Sequence, residues 1–560
     1  MEFYATGSLD TAIDAFSAVV SHSESNVEFG NINESPENVI GVVAGAVDDD
    51  IFSQANAKFD QWIAIQEGGI AGANVGDVHG SIAGFTPATG CYQCLTDRIS
   101  DSQDNSDRST HTGGSFLLGA LAAVTVLNAP SQVFGHIIEY PQRRRRFTPS
   151  PACGCLSPPS GEFELTYQDV TLEEALNRAE LAVDDRVGII TNVGEVESFP
   201  APYYLSTLSN PERFTSRNIP AQAAGVAIDW NEAYMKATGE ALERHAAATY
   251  QAEDLHTDTP SELERCVPPA AFASASDDAP DQHSDTAIRW RRGINLHNEN
   301  QVWIPAEAVY FPPPEIRYLY PITTGLGVGT SLTQAVVSGL TEVIERDATM
   351  IDWYASGSPH RLEIEDSTFN TLARRARAEG LEVTPLQVRH DSDIPVVSTA
   401  VYRDDWPRFA IGADAASTYT DAAIGSLSEA LQNWMELRSA GKEKAATLSG
   451  KIGHYSNHPD TISEYVGPDQ SISARNPEHD PQNMGIQFLL DQISSLGLTA
   501  YASRITTVDL DSLSFEAVRV VVPAAQPLFM NTEQFSERIT TVPNTFGVSF
   551  MPDHPHHPYP

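Results

Sequence analysis

Hydrophobic and polar positions alternate with two different periods along this 560-residue chain. VGIITNVGEV, at 187–196, has the pattern of a strand that ends in a turn, and YRDDWPRFAIGADA, at 402–415, is also strand-like. SLSEALQNWMELRSAG, at 426–441, instead repeats its apolar positions with the period of a helix. The alternation of strand and helix patterns predicts α/β layers after residue 160.

Before residue 160 the longest apolar stretch is FLLGALAAVTVL, at 116–127. It is shorter than the roughly 20 residues of a membrane helix, so we expect a buried helix. Polar, Gly-rich and Pro-rich segments at 101–114 and 148–161 predict a loop and then a boundary between two domains, 1–160 and 161–560. The expected acidic surface loops, which lack periodicity, are 254–288 and 454–484.

Acidic residues outnumber basic ones by 75 to 34, which gives a net charge of −41. The acids are spread along the chain, so they form a general surface rather than an interaction tail. Such a surface repels itself unless salt screens it, and it also repels nucleic acid and anionic membranes. With 41% hydrophobic residues and no secretory signal in the first residues, we expect a salt-adapted globular protein of the cytoplasm, with neither nucleic acid nor a membrane as its partner.

Four of the five cysteines form two close pairs, Cys91 with Cys94 and Cys153 with Cys155. Two such knuckles suit a structural Zn²⁺ site with four thiolate ligands, and Cys266 is left over. A redox dithiol and ordinary unliganded thiols are the alternatives. The basic run RRRR at 143–146, next to the second pair, is interpreted as a solvated turn, with a contact to a partner peptide as the alternative.

The most informative pattern is Glu-x-x-Glu-Arg, which occurs in KATGEALER at 236–244 and again in SGLTEVIER at 338–346. On a helix, positions i, i+3 and i+4 share a face, so each copy presents two carboxylates and a guanidinium together. Two such patches repel each other unless divalent cations lie between them, and oxygen ligands select hard ions such as Mg²⁺. Arginines beside those ions would bind phosphate.

The alternative interpretation is that these are solvated helix faces with weak Glu–Arg pairs. The Ala-, Gly- and β-branched-rich surroundings favour packed helices instead. A third helical segment, SLSEALQNWMEL at 426–437, adds Glu429, Gln432 and Glu436. GLGVG at 325–329 precedes the second motif and would bring backbone amides near a phosphate, although it is neither a Walker loop nor a dinucleotide fingerprint.

Together, KATGEALERH, GLGVGTSLTQAVVSGLTEVIERDA, SEALQ and the final PHHPYP resemble the YcaO family, and in particular the cyclodehydratases that form thiazoles and oxazoles in peptides. The resemblance covers roughly 160–560. It implies a YcaO-type α/β (α+β) fold, with helices packed on mixed sheets. The segment before 160 resembles the shortened ubiquitin-activating-like part that is fused to such enzymes, which bears zinc and handles the leader peptide.

The resemblance also implies a set of site residues. The Mg²⁺ ligands would be Glu240, Glu243, Glu342 and Glu345, with Glu429 as a further one. The ATP phosphates would face Lys236, Arg244, Arg346 and Gln432, and Gly225, in AAGVAIDW, would border the nucleotide. The sequence departs from the family where Lys236 replaces a serine, where Glu436 follows Gln432 in place of the arginine of Gln-x-x-x-Arg, and where the second cysteine pair is CxC.

The implied reaction is ATP-dependent activation of a backbone amide. A Cys, Ser or Thr side chain of a precursor peptide adds to the preceding carbonyl, ATP phosphorylates the resulting oxygen, and loss of phosphate leaves an azoline. A YcaO enzyme that assists thioamidation is the alternative, and a zinc-stabilised peptide-binding scaffold without catalysis is an alternative of another class. A leader-binding or dehydrogenase partner protein and a homodimer also stay open.

Three of the last six residues are prolines, Pro555, Pro558 and Pro560. Termini are usually frayed, but prolines stiffen the segment toward polyproline II. The cyclodehydratases that it resembles end in Pro-x-Pro-x-Pro, which reaches the active site. We therefore expect Pro558, Tyr559 and Pro560 near ATP, with the terminal carboxylate, His556 or His557 orienting the peptide or moving protons.

Overall fold

A computed structural model describes residues 1–99, 114–141, 143–156, 163–209, 221–273, 285–448, 451–468, 470–474, 485–530 and 533–560. Strands and helices alternate through these residues, so the predicted α/β class is confirmed. The loop expected at 101–114 and the boundary at residue 160 lie almost wholly outside the described residues. The division into 1–160 and 161–560 therefore stays a prediction.

The first part of the chain is a seven-stranded sheet with helices on both faces. Its strands are β1 (Glu2–Gly7), β2 (Asn26–Phe29), β3 (Ile40–Ala46), β4 (Trp62–Glu67), β5 (Gly80–Phe85), β6 (His136–Tyr140) and β7 (Arg143–Arg146). The strand order is β2-β1-β3-β4-β5-β6-β7, with the first four parallel and the last three antiparallel. Helices α1 (Asp10–Val20) and α4 (Gly114–Asn128) cover one face, and α2 (Ile51–Lys58) and α3 (Tyr92–Ile99) cover the other.

The helix predicted at 116–127 is confirmed as α4, but it is buried on one side only. Leu118, Ala122 and Val126 pack against the sheet and α1, whereas Phe116 and Leu117 are about half exposed. The turn expected at 143–146 is wrong, because these arginines form the edge strand β7, although all of them except Arg145 are solvent-exposed as expected. Arg145 is buried there, where it neutralises Glu139 and Asp184.

The rest of the chain contains three further sheets. One has the order β10-β9-β8, with β8 (Ile190–Glu197), β9 (Tyr203–Leu208) and β10 (Gln222–Val226). The strands of the second sheet are β11 (His256–Asp258), β12 (Ile288–Asn295), β13 (Gln301–Pro305), β14 (Leu326–Gly329), β20 (Tyr501–Arg504) and β21 (Glu516–Val521). Their order is β11-β12-β20-β21-β14, and β13 also pairs with β12. The third has the order β18-β17-β16-β15-β19, with β15 (His360–Glu363), β16 (Glu382–Gln387), β17 (Val396–Tyr402), β18 (Phe409–Ala415) and β19 (Ser471–Ser473).

Three long helices pack on these sheets: α6 (Trp230–Ala248), α8 (Leu332–Trp353) and α10 (Tyr419–Ala445). The shorter helices are α5 (Leu172–Glu180), α7 (Ala306–Val309), α9 (Ser367–Ala378), α11 (Ile452–Tyr455), α12 (Asp460–Val466), α13 (Ile486–Ser495), α14 (Val508–Ser512) and α15 (Glu537–Thr545). The stretch 454–484, expected to be a loop, therefore contains α12 and β19. Of the stretch 254–288, residues 256–258 form β11 and 274–284 are outside the described residues.

Each long helix is built in the same way, directly after a strand. A glycine in β10, β14 or β18 lets the helix backbone approach so closely that a Cβ atom would lie 2.1–2.4 Å from it; these are Gly225, Gly327 and Gly412. The helix then begins at a polar residue whose side chain accepts a backbone N–H of the first turn; these are Asp229, Ser331 and Thr418. The chain therefore repeats one strand–glycine–cap–helix unit three times.

Among the described helices, none is long and apolar enough to span a membrane.

Candidate functional site

The three repeated units place a glutamate at the same distance from the start of each helix. Each glutamate is eleven positions after its cap: Glu240 after Asp229, Glu342 after Ser331, and Glu429 after Thr418. The side chains of these glutamates are 25–32% exposed. Arg346 lies within 4.0 Å of Glu342 and Glu429, and the charge of Glu240 raises the pKa of Glu429, so the three border one solvent-accessible cleft. Two of them belong to the Glu-x-x-Glu-Arg motifs, and the third belongs to the SEALQ helix.

Each of these glutamates also accepts a backbone N–H from the strand that precedes its helix or, for Glu342, from the residue directly before that strand. The pairs are Ala224 with Glu240 at 2.8 Å, Gly325 with Glu342 at 3.0 Å, and Ala413 with Glu429 at 2.6 Å. This bond uses one carboxylate oxygen, Oε2, in all three cases. The other oxygen, Oε1, faces the arginines, which fixes the rotamer of each side chain and leaves an oxygen directed into the cleft.

A second pair of glutamates, Glu243 and Glu345, lies one helical turn after Glu240 and Glu342 on α6 and α8. Burial raises the pKa of both well above the usual range, and neighbouring carboxylates add to the shift. The Glu345 side chain is 10% exposed, and its Oε1 has no hydrogen-bond partner among the described residues. Burial also raises the pKa of Glu342 and Glu429. Hard divalent cations fit this set of oxygen donors, because they would replace the protons that the cluster otherwise retains.

Arg346 is the central cation of the site. Its guanidinium lies 4.0 Å from Glu342, 3.4 Å from Glu345 and 3.8 Å from Glu429. Burial alone would lower its pKa, but these carboxylates outweigh burial and raise it. Arg244, by contrast, is held by Glu240 at 2.5 Å and by the carbonyl of Gln222. Arg346 therefore connects two helices, whereas Arg244 is bound within its own strand–helix unit.

Sequence reasoning missed two charged residues of the cleft, Arg519 and Asp414. Arg519, on β21, is 6% exposed and donates to the carbonyl of Thr323 at 3.0 Å. Its pKa falls to about 10 because burial outweighs the attraction of Glu342 and Glu243. Burial raises the pKa of Asp414, on β18, to about 7. The signal for both was a lone charge inside an apolar strand pattern, EAVRVVV or FAIGADA.

The remaining residues expected at the phosphates are also on α6 and α10. Lys236 is exposed, and its charge lowers the pKa of Asp414 and Glu429, so it faces them across the cleft. Gln432 donates to Glu436 at 3.1 Å, and Tyr203 donates to the same carboxylate at 3.3 Å. Gly225 lies under α6 with no space for a side chain.

The C-terminal tail is held in the core rather than frayed. Trp353 donates to the carbonyl of Pro555 at 2.7 Å, and Tyr455 donates to that of His556 at 2.6 Å. Tyr559 is fully buried and shares hydrogen bonds with Ser398 at 2.8 Å and with Tyr465 at 3.2 Å. These contacts keep the last residues in one place.

The tail approaches the carboxylate cluster through Arg346. Burial lowers the pKa of His557 to about 3, and the positive charge of Arg346 contributes to this shift. His557 is fully buried and its Nε2 contacts the carbonyl of Phe529 at 2.5 Å. A histidine with so low a pKa stays neutral at pH 7, which suits hydrogen bonding better than proton transfer. Pro560 is half-buried at the end of this segment.

A pocket opens beside the cleft. Its lining is mainly apolar, with Leu319, Val343 and Val520, and Arg519 forms part of its wall. Arg519 also interacts electrostatically with Glu342 and Glu243, so it forms a wall that the pocket and the charged cleft share. An elongated ligand could therefore place its charged end in the cleft and its apolar part in the pocket.

The four paired cysteines converge, as their spacing predicted. Their sulfur atoms lie within 4.8 Å of one another, with Cys91 to Cys153 at 3.6 Å and Cys94 to Cys155 at 3.4 Å. Four thiolates around Zn²⁺ at about 2.3 Å require sulfur separations of roughly 3.8 Å, so this cluster fits the ion. Cys266 is elsewhere, near the carbonyl of Pro260.

Comparison with known proteins places this geometry in a family. Residues 224–526 match the family model described as YcaO cyclodehydratase, ATP- and Mg²⁺-binding. An uncharacterized protein of Methanothermobacter thermautotrophicus is 25% identical over 346 residues, which cover 56% of this chain and 84% of the relative.

Two solved structures share the fold over almost the whole chain. A heterocyclase in complex with substrate and cofactor has a TM-score of 0.72 at 18% identity, covering 98% of this chain and 83% of its own. The heterocyclase TruD has a TM-score of 0.64 at 16% identity, covering 98% and 82%. The matched length includes the cysteine-bearing first part.

Replacing Cys91 by Ser is expected to remove bound zinc, because three thiolates leave a structural site open to water. Metal analysis of the purified chain should give one zinc for the native sequence and clearly less for Cys91→Ser. Cys266→Ser, the matched control, should keep a full equivalent. A native protein without zinc, or Cys91→Ser with a full equivalent, contradicts the assignment.

Asp414 is expected to make stability depend on pH. Because folding raises its pKa to about 7, the protonated form favours the folded state, and this contribution is lost as the pH rises through about 7. Without Mg²⁺, the unfolding midpoint of the native protein relative to that of Asp414→Asn, which cannot ionise, should decrease as the pH rises from about 4, the pKa of an unfolded Asp, to about 7. A difference that does not change with pH would show that Asp414 does not titrate in this range.

Proposed function

Because the chain belongs to the YcaO family, we propose that it uses ATP and Mg²⁺ to activate backbone amides of a peptide, by cyclodehydration of Cys, Ser or Thr to azolines. The observation that carries the proposal is the convergence of five glutamates and two buried arginines on one cleft, from four elements of different parts of the chain. A triphosphate with its metal ions would complement the charges of this cleft, because the cations would bind the carboxylates and the phosphate oxygens would bind the arginines.

We propose that Glu240, Glu342 and Glu429 are ligands of Mg²⁺ in the cleft, and that Glu243 and Glu345, one helical turn further along α6 and α8, complete the ligand set. When bound, the ions shield the phosphate oxygens of ATP and favour transfer of the terminal phosphoryl group. Arg346 is placed to neutralise charge that develops on those oxygens, and Arg519 supports it from β21. Because burial raises the pKa of Glu243 and Glu345, these two glutamates would release protons as the metal binds.

The chemistry balances without further reactants. The Cys, Ser or Thr heteroatom bonds to the preceding carbonyl carbon, and its proton is lost. The former carbonyl oxygen takes the terminal phosphoryl group, and ADP leaves. The C–O bond then breaks with loss of the amide proton, which yields the C=N bond of the azoline and inorganic phosphate. The protein needs only to position the peptide against ATP, and the adjoining pocket gives apolar side chains of the peptide room to bind.

Other parts of the chain have supporting roles in this proposal. The chain up to residue 160 would be a zinc-stabilised domain, and residues 161–560 the ATP-dependent one. One solved neighbour, a heterocyclase, holds substrate and cofactor together, and we propose that this chain does the same with a precursor peptide. Pro558, Tyr559 and Pro560 would border that peptide, held by the bonds of Tyr559.

Replacing Glu342 by Gln is expected to reduce peptide-dependent ATP hydrolysis at least a hundredfold, because metal placement supplies most of the catalysis. The matched control is Glu174→Gln on α5, where Glu174 forms the same i, i+4 pair with Arg178 but its side chain is 55% exposed. The assay measures phosphate release with Mg²⁺ and candidate peptides rich in Cys, Ser and Thr. Native-like rates for Glu342→Gln would refute the metal site.

Deleting residues 556–560 is expected to abolish peptide modification while nucleotide and zinc binding persist. The reason is that the tail packs beside Arg346 but contributes no carboxylate side chain to the cluster. Mass spectrometry of the peptide measures each lost water, and calorimetry measures binding of Mg-ATP. Tyr559→Phe, which keeps the ring and removes only the hydrogen bonds to Ser398 and Tyr465, should show an intermediate rate. Normal water loss by the truncated chain would make the tail dispensable.

A further inference from the structure

We propose that Asp509 is a positioning residue that holds helix α6, with its glutamates, to the cysteine cluster, so that zinc loss weakens binding of Mg-ATP. This inference rests on the proposed function, because it concerns the same nucleotide site. It assigns a role to a buried charged group about which the Glu-x-x-Glu-Arg motifs say nothing.

The connection begins at the cysteine cluster. Cys94 and Arg98 lie one turn apart on α3, so their side chains point from the same face of the helix. The Arg98 guanidinium donates to the carbonyls of Thr148 at 2.8 Å and Pro149 at 2.6 Å. These residues begin the segment that leads to Cys153. Arg98 therefore connects α3, which carries Cys94, to the segment that leads to Cys153 by hydrogen bonds.

Arg98 then reaches into the second part of the chain. Its Nη2 donates to the carboxylate of Asp509, at the start of α14, at 2.9 Å. His245 Nε2 contacts the same oxygen at 2.9 Å. The Arg98, Asp509 and His245 side chains are 2%, 0% and 3% exposed, so water cannot replace these contacts. Although burial alone would raise the pKa of Asp509, the two partners lower it, and the group stays ionised.

His245 transmits this anchor to the nucleotide site. It lies in the last turn of α6, next to Arg244 and two residues after Glu243. A helix moves as a rigid body over so short a distance, so a displacement of His245 also displaces Glu243. Glu243 interacts electrostatically with Glu342 and Glu240 in the cleft, where a shift of 1 Å would change metal coordination. The three side chains thus form one continuous buried path from Cys94 to Glu243.

Other ion pairs between the two parts of the chain supply a matched control. Arg186 pairs with Asp77 at 3.0 Å, but the Asp77 side chain is 74% exposed. An exposed pair contributes little to stability and touches neither the cysteine cluster nor α6. Asp77→Asn therefore removes a contact between the same two parts without interrupting the buried path.

The test compares full-length variants by calorimetric binding of a non-hydrolysable ATP analogue with Mg²⁺. His245→Phe, which removes the donor to Asp509, should raise the Kd about tenfold or more. His245→Gln, which can still place an N–H near Asp509, should stay within about twofold of the native value, as should Asp77→Asn. Chelation of zinc from the native protein should raise the Kd as His245→Phe does, and should add little to His245→Phe itself.

Hydrogen exchange gives a readout that does not need the nucleotide. Zinc removal and His245→Phe should each speed the exchange of amides 240–246 of α6, while those of α10 stay protected. Unchanged α6 exchange on zinc removal would overturn the inference, as would an unchanged Kd in a native protein that binds the analogue. A native protein that does not bind the analogue would refute the proposed function, and α6 exchange alone would then decide whether Asp509 links the two parts.

Discussion

The mutual repulsion of carboxylates in one cleft is the constraint around which the larger part of this protein is organised. Five glutamates converge there, and burial makes their negative charge unfavourable unless it is compensated. The structure compensates it in two ways, by a backbone N–H for Glu240, Glu342 and Glu429 and by arginines, of which Arg346 lies between α8 and α10. The remaining excess of negative charge is what gives the cleft its affinity for cations.

The backbone contacts explain why strands and helices must be placed so accurately. A helix can present a glutamate to a strand N–H only if the two backbones nearly touch, and a glycine in each strand makes that approach possible. The buried alanines of α6, such as Ala237 and Ala241, serve the same purpose on the helix side. Small residues therefore do as much for the site as the charged ones, because they set the distances at which the charges act.

The helices and their glutamates could be predicted from the sequence, since local periodicity and short motifs determine which face of a helix a side chain occupies. Arg519 and Thr323 could not, because their contact joins positions almost two hundred residues apart. The burial of Arg145 was missed for a similar reason: four consecutive arginines suggest a solvated run, and the carboxylates that neutralise Arg145 come partly from Asp184. The packed tail depends in the same way on partners such as Tyr465 that no local pattern identifies.

The equal spacing of cap and glutamate in the three units restricts how such a chain can vary over time. Eleven residues make about three helical turns, so each carboxylate lies almost directly above its cap, some 16 Å along the axis. One residue inserted between them would turn the carboxylate by about 100° and direct it away from the cleft. The turn between strand and cap is less restricted: Asp229 and Thr418 follow the last strand residue by three positions, whereas Ser331 follows Gly329 by two. Insertions and deletions among related sequences should therefore occur in the connections between strand and helix, and not within the first three helical turns of α6, α8 and α10.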